Sequence, residues 1–241
     1  MKQIAFLKKR HDLSRADFIR LYEEEHARLI ARLLPYFTNY RRSYPLDLPQ
    51  GEGSRFAHDA IMEIWFADAE HQAEMGRRIA EPEVGGEMRR DEERLFDRGA
   101  MTMFTVDEYG ASGSTRAPRT TMILARKKPD LLRDAFIDLI ENRAVPDLRA
   151  LIEASGIPAP SICRNYPVPG STFKMPHLDS EAYPVDFDVI IEIAFTGKPD
   201  HQTLRALLGS GVLAPDLGNP AAIDAAYTLF LDTETHASEP F

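Results

Sequence analysis

The chain has 241 residues, 44% of them hydrophobic and 28% charged, which is ordinary for a globular protein with a buried core. Its net charge of −9 argues against nucleic-acid binding, since such a surface needs a basic patch. No apolar run approaches the roughly 18 residues of a membrane helix, and the apolar stretch near the N-terminus is too short for a signal peptide. Together with the single cysteine, Cys163, these features predict a cytoplasmic protein that contacts neither nucleic acid nor a membrane.

The first half of the chain predicts the element order β-α-β-β-α-β. Strands are expected at residues 3–9, 36–45, 58–66 and 101–109, because apolar residues alternate or cluster there. Ser14 is a candidate N-cap for a first helix that Pro35 ends, and residues 68–79 form a second helix. A break is predicted at residues 82–86, and the charged run 87–94 is interpreted as a solvated helix face.

A duplicated segment shows that this unit occurs twice. Residues 58–66 read HDAIMEIWF and residues 187–195 read FDVIIEIAF, and each is a strand by its alternation. Further matches pair Phe18 with Phe136, Tyr44 with Tyr166, and Phe104 with Phe230. The second copy predicts strands at residues 120–127, 161–167, 187–195 and 226–235, with helices at 129–153 and 199–208.

These patterns predict an α+β fold of two tandem ferredoxin-like βαββαβ units, residues 1–110 and 119–241, joined by a linker at 111–118. Each antiparallel sheet would carry its helices on one face. The two bare faces are expected to pack against each other and form an α+β barrel within one chain.

Four motifs in the first unit resemble EthD-type proteins of the dimeric α+β barrel superfamily. They are Phe6-x-Lys8-x-Arg10, Phe18-x-x-x-Tyr22-x-x-x-His26-Ala27, the Asp-x-x-x-Glu-x-x-Phe strand, and the closing strand FTVDEY at residues 104–109. The resemblance implies a barrel without a prosthetic group. Members of the superfamily include decarboxylases, dehydratases, isomerases, polyketide cyclases and cofactor-free monooxygenases, together with haem-binding proteins, so the fold does not settle the function.

Three residues are candidates for catalysis. His26 can take and return a proton near neutral pH, although a histidine within an apolar helical stripe can equally be a core residue. Its counterpart in the second copy is Ala144, or Arg143 if the alignment shifts by one residue, and this loss of the histidine fits either specialisation or drift. Tyr40 could donate a proton or hydrogen bond to an oxyanion, and Asp59 could be a proton partner or a structural residue paired with a basic neighbour.

Four more residues are candidates for substrate binding. Trp65 and Phe6 could shape a flat apolar wall, though a lone tryptophan is more often part of a core. His58 could share a helix-facing pocket with His26 or lie on the surface at the strand edge. Glu63 could line a cavity, with structural pairing to Arg41 or Arg42 as the alternative.

The leading functional hypothesis is a cofactor-independent lyase or isomerase that transfers protons on a small apolar oxo, aromatic or polyketide-like compound. The alternatives are a non-catalytic small-molecule-binding accessory protein of a degradation pathway and a cofactor-free monooxygenase. The histidine spacing predicts no metal site, and no cofactor is expected. A small-molecule substrate is the expected partner, a further homodimer is possible, and the proline-rich stretch 167–184 could form a lid.

Overall fold

The computed structural model describes residues 1–46, 58–110, 119–157, 161–172, 187–195 and 223–236. The predicted helix at 199–208 and most of the predicted lid and linker lie outside these ranges. The eight strands are β1 (Lys2–Leu7), β2 (Phe37–Pro45), β3 (Ala60–Phe66), β4 (Thr102–Tyr109), β5 (Arg119–Lys127), β6 (Ser161–Pro167), β7 (Val189–Ala194) and β8 (Ile223–His236). The described α-helices are α1 (Arg15–Leu21), α2 (Ala27–Leu33), α3 (Ala69–Ala80), α4 (Pro82–Leu95), α5 (Arg133–Leu139) and α6 (Val145–Ala154). None of these helices combines the length and apolar character that crossing a bilayer requires.

The eight strands form one closed antiparallel barrel in the order β1-β3-β2-β8-β5-β7-β6-β4. Each unit contributes the ferredoxin-like order, β4-β1-β3-β2 from the first and β8-β5-β7-β6 from the second, which confirms the predicted fold class. The units join at their edges, where β2 pairs with β8 and β4 with β6. The two sheets are therefore parts of one continuous barrel rather than two separate layers. Because each strand pairs on both sides, a homodimer of this chain would have to use another surface.

The barrel wall separates three apolar clusters. One lies inside the barrel and draws on both units, with Ile4, Phe6, Ile61, Phe104 and Val106 from the first and Met122, Leu124, Ile190, Leu229 and Leu231 from the second. The other two lie on the outer faces, each between one unit's sheet and its helices. Alternation along each strand divides its side chains between the interior and the helix layer. On β3, for example, Ile61 faces the interior while Met62 faces the helices.

Each unit also repeats one polar network between its first helix and its second strand. In the first unit, Arg42 Nε donates to Glu23 at 2.8 Å, and Tyr44 donates to the same carboxylate. In the second, Arg164 Nε donates to Glu141 at 2.9 Å, and Tyr166 does likewise at 2.7 Å. The duplication therefore preserved specific hydrogen bonds as well as the strand order.

Two details differ from the sequence-based expectation. Residues 82–86 begin α4, and the break between the helices is confined to Glu81, whose backbone is extended: Pro82 is tolerated in the first turn, where its missing N–H has no acceptor in the helix. A Cβ on Gly85 would lie 2.5 Å from the Ile79 carbonyl oxygen, so this glycine permits close contact between α3 and α4. The predicted match of Phe104 with Phe230 is off by one residue, because the register equates Phe104 with Leu229.

Candidate active site

A cavity of about 410 Å³ lies between the outer face of the first unit's sheet and its helices. The central strand β1 and its neighbours β3 and β4 form the floor, and the helices form the roof. The lining residues are mostly apolar: Leu7, Ile30, Leu34, Met62, Ile64, Ala69, Ala73, Met75, Gly76, Ile79, Met88, Phe96, Met101 and Met103, with Gln3, Tyr22, His26, Gln72 and Glu92 as the polar members. Its volume and its apolar lining with few polar groups are typical of small-molecule sites.

Small residues on α3 make room for this cavity. Ala69, Ala73 and Gly76 follow each other at helical spacing and all line it. A Cβ built on Gly76 would meet nothing within 4 Å, so the space next to this helix is open. Five of the chain's eight methionines form much of the remaining wall. Their unbranched thioether side chains adapt to ligands of different shape and pack well on aromatic rings.

His26 reaches the cavity from a π-helical turn, Tyr22–His26, which joins α1 to α2. The second unit has the same turn at Ile140–Ala144, so this irregularity belongs to the repeated fold. Only the first unit places a histidine at its end. The imidazole is 4% exposed and is packed edge-on between the rings of Tyr22 and Phe96.

Asp91 on α4 holds the other side of this imidazole. The distance from His26 Nδ1 to Asp91 Oδ2 is 2.5 Å, and Asp91 Oδ1 lies 3.6 Å from the Arg94 guanidinium. A carboxylate at Nδ1 favours the tautomer with its proton on that nitrogen, which leaves the Nε2 lone pair available to accept a proton. The histidine and aspartate therefore form a buried dyad, of which the imidazole lines the cavity.

Two phenols extend the polar side of the site. Tyr22 lines the cavity, and its hydroxyl lies 3.1 Å from that of Tyr40, which is buried behind it. Burial raises the pKa of Tyr40 to about 12, and it also raises the pKa of Tyr22 well above its ordinary value. Both phenols are therefore protonated at neutral pH. If Tyr40 donates to Tyr22, the Tyr22 hydroxyl can donate to an oxygen in the cavity.

Tyr40, the predicted phenol, thus reaches the cavity only through Tyr22. Asp59, the other predicted partner, does not contact His26. Its carboxylate accepts the Lys9 backbone N–H at 3.1 Å and pairs with Lys8 Nζ at 3.0 Å. Asp188 accepts the Lys127 backbone N–H in the same way at 2.8 Å, which identifies the duplicated aspartate as an element of the fold.

The predicted binding residues Phe6, Glu63 and Trp65 face the barrel interior and do not line the cavity. Phe6 packs against Phe104 and Phe187. The His58 ring lies 5.6 Å from the Phe6 ring, so His58 is also separate from His26. Burial, assisted by the Lys8 ammonium, lowers the pKa of His58 to about 4 and keeps this imidazole neutral at pH 7.

Glu63 and Trp65 belong to a buried charge network that joins the two units. Lys2 Nζ lies 2.8 Å from Glu63 and 2.6 Å from Glu192, and Arg41 donates to both carboxylates. Trp65 stacks on both cations, at 4.6 Å from Lys2 Nζ and 5.3 Å from the Arg41 guanidinium. Burial alone would raise the pKa of Glu192, but Arg41 and Lys2 hold it well below its usual range. Burial and the neighbouring Glu192 raise the pKa of Glu63.

The sequence pattern does not identify Asp91 as a site residue, because the charged run 87–94 is typical of a solvated helix face. The structure buries Asp91 and Glu92 to 8% and 2% exposure. A signal was present in the spacing: Val84, Met88, Asp91 and Leu95 follow at intervals of four, three and four residues, which is an amphipathic helical stripe. An acid within such a stripe is expected to face the core, where it needs a partner.

Comparison with known proteins agrees with this architecture. Residues 10–99 match the model of the EthD domain family. A solved monooxygenase-like protein from Lactobacillus acidophilus NCFM is 8% identical, with a TM-score of 0.52 and coverage of 98% of this chain and 95% of its own. A solved chlorite dismutase-like protein is 12% identical, with a TM-score of 0.51 and coverage of 95% and 93%. At this identity the likeness concerns the fold alone, and no curated protein matches the sequence. Residues 10–99 of the first unit thus resemble an EthD domain, and the chain as a whole has an α+β barrel fold.

Proposed function

We propose that the protein is a cofactor-independent enzyme that transfers protons on a small, largely apolar carbonyl compound bound in the cavity of the first unit. The observation that carries this proposal is the buried His26–Asp91 dyad, whose imidazole lines a mostly apolar cavity of about 410 Å³. Isomerisation and dehydration both remain within this proposal, because each passes through a carbanion or enolate next to a carbonyl group. Decarboxylation fits less well, because it would bring a carboxylate into a cavity whose described lining holds no lysine or arginine.

The geometry supports a simple sequence of proton movements. His26 Nε2 removes a proton from the carbon next to the substrate carbonyl, and the electron pair of the C–H bond moves onto the carbonyl oxygen. Asp91 stabilises the imidazolium that forms, because its carboxylate already accepts the Nδ1 proton. Tyr22, backed by Tyr40, donates a hydrogen bond to the developing enolate oxygen. Return of the proton from Nε2 to another carbon completes an isomerisation, and its transfer to a departing hydroxyl completes a dehydration.

The apolar walls contribute to this chemistry. They keep bulk water from His26 and Tyr22, so the charges that develop are stabilised by fixed groups instead of reorganising solvent. A haem group does not fit the residues present. His26 is enclosed between Tyr22 and Phe96 and its Nδ1 is held by Asp91, whereas axial ligation would require an imidazole exposed in a wide, flat pocket.

The second candidate is an accessory protein that binds a small molecule without converting it, which the apolar lining alone would support. A cofactor-free monooxygenase is the third, and its support is the fold shared with a monooxygenase-like protein. These alternatives predict different outcomes for proton exchange with solvent and for the dependence of product formation on oxygen. The accessory protein binds ligand without proton exchange, and the monooxygenase forms product only in the presence of oxygen.

Solvent exchange tests the proposal without knowledge of the natural substrate. Bicyclic ketones such as 2-tetralone and 1-indanone would be incubated with the protein in D₂O, and deuterium incorporation next to the carbonyl would be followed by proton NMR, in air and under argon. We expect catalysed exchange in both atmospheres and a loss of about 10²- to 10⁴-fold in His26→Ala. His71→Ala removes an exposed histidine of α3 outside the cavity and is the matched control. Equal exchange by wild type and His26→Ala would contradict the proposal.

A further inference from the structure

One polar side chain on the cavity floor is not used by the proposed proton transfer. Gln3 on β1 lines the cavity and is 2% exposed. Its Oε1 is enclosed and receives no hydrogen bond from any residue in the part of the chain that the structure describes. A buried amide without a partner costs about 1–3 kcal/mol, so such a group in a cavity indicates a ligand that completes its hydrogen bonds.

The setting of Gln3 limits which ligand this can be. The residue lies in a row across the strands with Ile64 on β3 and Thr105 on β4, and Ala5 and Leu7 follow it on the same face. Gln3 therefore belongs to the floor, while His26 belongs to the roof. A ligand that fills the space between sheet and helices meets both residues.

The charges around the cavity disfavour an anionic ligand. Its lining contains no lysine or arginine among the described residues, and its one carboxylate, Glu92, lies 3.8 Å from Arg98 Nε. A ligand carboxylate or phosphate buried here would lack a countercharge, which carries a high desolvation cost. The five methionine side chains that line the cavity can make favourable sulfur contacts with an aromatic ring.

We propose that the cavity takes an uncharged aromatic compound that carries a hydroxyl group, and that Gln3 is the residue that selects for this hydroxyl. The ligand hydroxyl donates to the Gln3 carboxamide oxygen. Rotation about the last side-chain bond turns that oxygen toward the cavity, because the two ends of the amide have nearly the same shape. This inference rests on the proposed function for the location of the site and adds the chemical class of its substrate.

Three related probes test this selection by calorimetry on the full chain. 2-Naphthol offers the hydroxyl, naphthalene lacks it, and 2-methoxynaphthalene replaces the O–H donor by a methyl ether. We expect 2-naphthol to bind about three- to tenfold more tightly than either of the other two, the effect of one hydrogen bond. 2-Naphthoate should bind more weakly than 2-naphthol. Equal affinity for 2-naphthol and its methyl ether in the wild type would overturn the proposal without any variant.

Gln3→Met keeps the length of the side chain and removes its polar end. In this variant the preference for 2-naphthol over naphthalene should disappear, while naphthalene binding persists and shows that the cavity is intact. Gln72→Met is the matched control, because Gln72 lines the same cavity but already contacts Thr105 Oγ1 at 3.5 Å. The control should retain the preference, and its loss in both variants or in neither would contradict the role of Gln3.

Binding by His26→Ala separates this inference from the proposed reaction. We expect His26→Ala to keep the preference for 2-naphthol although it no longer exchanges protons. A protein that shows the preference but no exchange would disprove the reaction and leave the ligand class standing. Loss of the preference in His26→Ala would assign the hydroxyl to His26 and refute the assignment to Gln3.

Discussion

Breaking the buried charge network inside the barrel should destabilise the protein, and Glu192→Gln tests this. Glu192 lies in the second unit, and its carboxylate contacts Lys2 at 2.6 Å, Arg41, and Asn165 Nδ2 at 2.8 Å. All four residues are at most 3% exposed. The substitution keeps the shape of the side chain but removes the charge that balances two buried cations.

Removal of one partner from a buried ion pair costs about 3–5 kcal/mol. Glutamine retains an acceptor oxygen, and both cations still pair with Glu63. We therefore expect a value at the lower end of this range, a decrease of about 3 kcal/mol in the free energy of unfolding. In the double variant, Lys2→Met removes one of the two cations that Glu192→Gln deprives of a countercharge. The double variant should therefore be less destabilised than the sum of the single variants by at least about 1 kcal/mol.

Equilibrium denaturation in urea measures these changes, followed by circular dichroism and by tryptophan fluorescence. Trp65 is the only tryptophan and stacks directly on the two cations, so its emission reports on the network itself. Glu70→Gln, which removes an exposed partner of Arg77, is the control and should change stability by less than about 1 kcal/mol. A Glu192→Gln variant as stable as this control would refute the reasoning.

Two further substitutions test the fold. His58 is neutral in the folded protein to about pH 4, whereas the unfolded chain protonates it below about pH 6.5, so its contribution to stability is lost as the pH falls from 6.5 to 4. The second copy has a phenylalanine at this position. In urea titrations, the loss of unfolding free energy between pH 7 and 4.5 should be about 2 kcal/mol smaller in His58→Phe than in the wild type, and an unchanged pH dependence would contradict this. Gly85→Ala should destabilise the protein by about 1–3 kcal/mol, because its Cβ meets the Ile79 carbonyl. Gly76→Ala is the matched control, since a Cβ there meets open space and alanine favours a helix, so thermal unfolding should show no loss. Equal melting temperatures for the two glycine variants would refute the proposed close contact.

The parts of the fold that the sequence predicts are those in which local pattern and tertiary structure agree. Alternation identifies β3 and β7, and Ser14 caps the first helix as expected, accepting the Asp17 backbone N–H at 3.0 Å. The duplicated strand reveals the tandem arrangement, because a repeated segment can be recognised without knowledge of its contacts. The edge-to-edge closure of the barrel depends on pairing between β2 and β8, which are far apart in sequence, and no local pattern encodes it.

The site is harder to predict, because its residues come from separate elements. His26 stands out by its chemistry, but its partner Asp91 is 65 residues away, within a run of charges that hides it. No sequence pattern marks Gln3 as a ligand-binding residue, because its place in the cavity and the lack of a hydrogen bond to its Oε1 are known only from the structure. Trp65 is unusual in the sequence, yet its partners are the barrel's cations instead of a ligand.

One difference between the two copies lies at the candidate active site, and one similarity belongs to the fold. The shared residues Asp59 and Asp188 bind the backbone in the same way in both units. His26, by contrast, corresponds to Ala144 at the end of the same π-helical turn. A repeated residue therefore indicates a role in the fold. A difference does not by itself locate the site, because Trp65 differs from Ala194 and yet does not line the cavity.

The most direct test of the account is an experimental structure of the protein with bound 2-tetralone. We predict that the ketone lies in the cavity between the first unit's sheet and its helices, with the carbon next to its carbonyl about 3–3.5 Å from His26 Nε2. A ketone bound inside the barrel beside Trp65, or with that carbon out of reach of His26, would contradict the assignment of the active site.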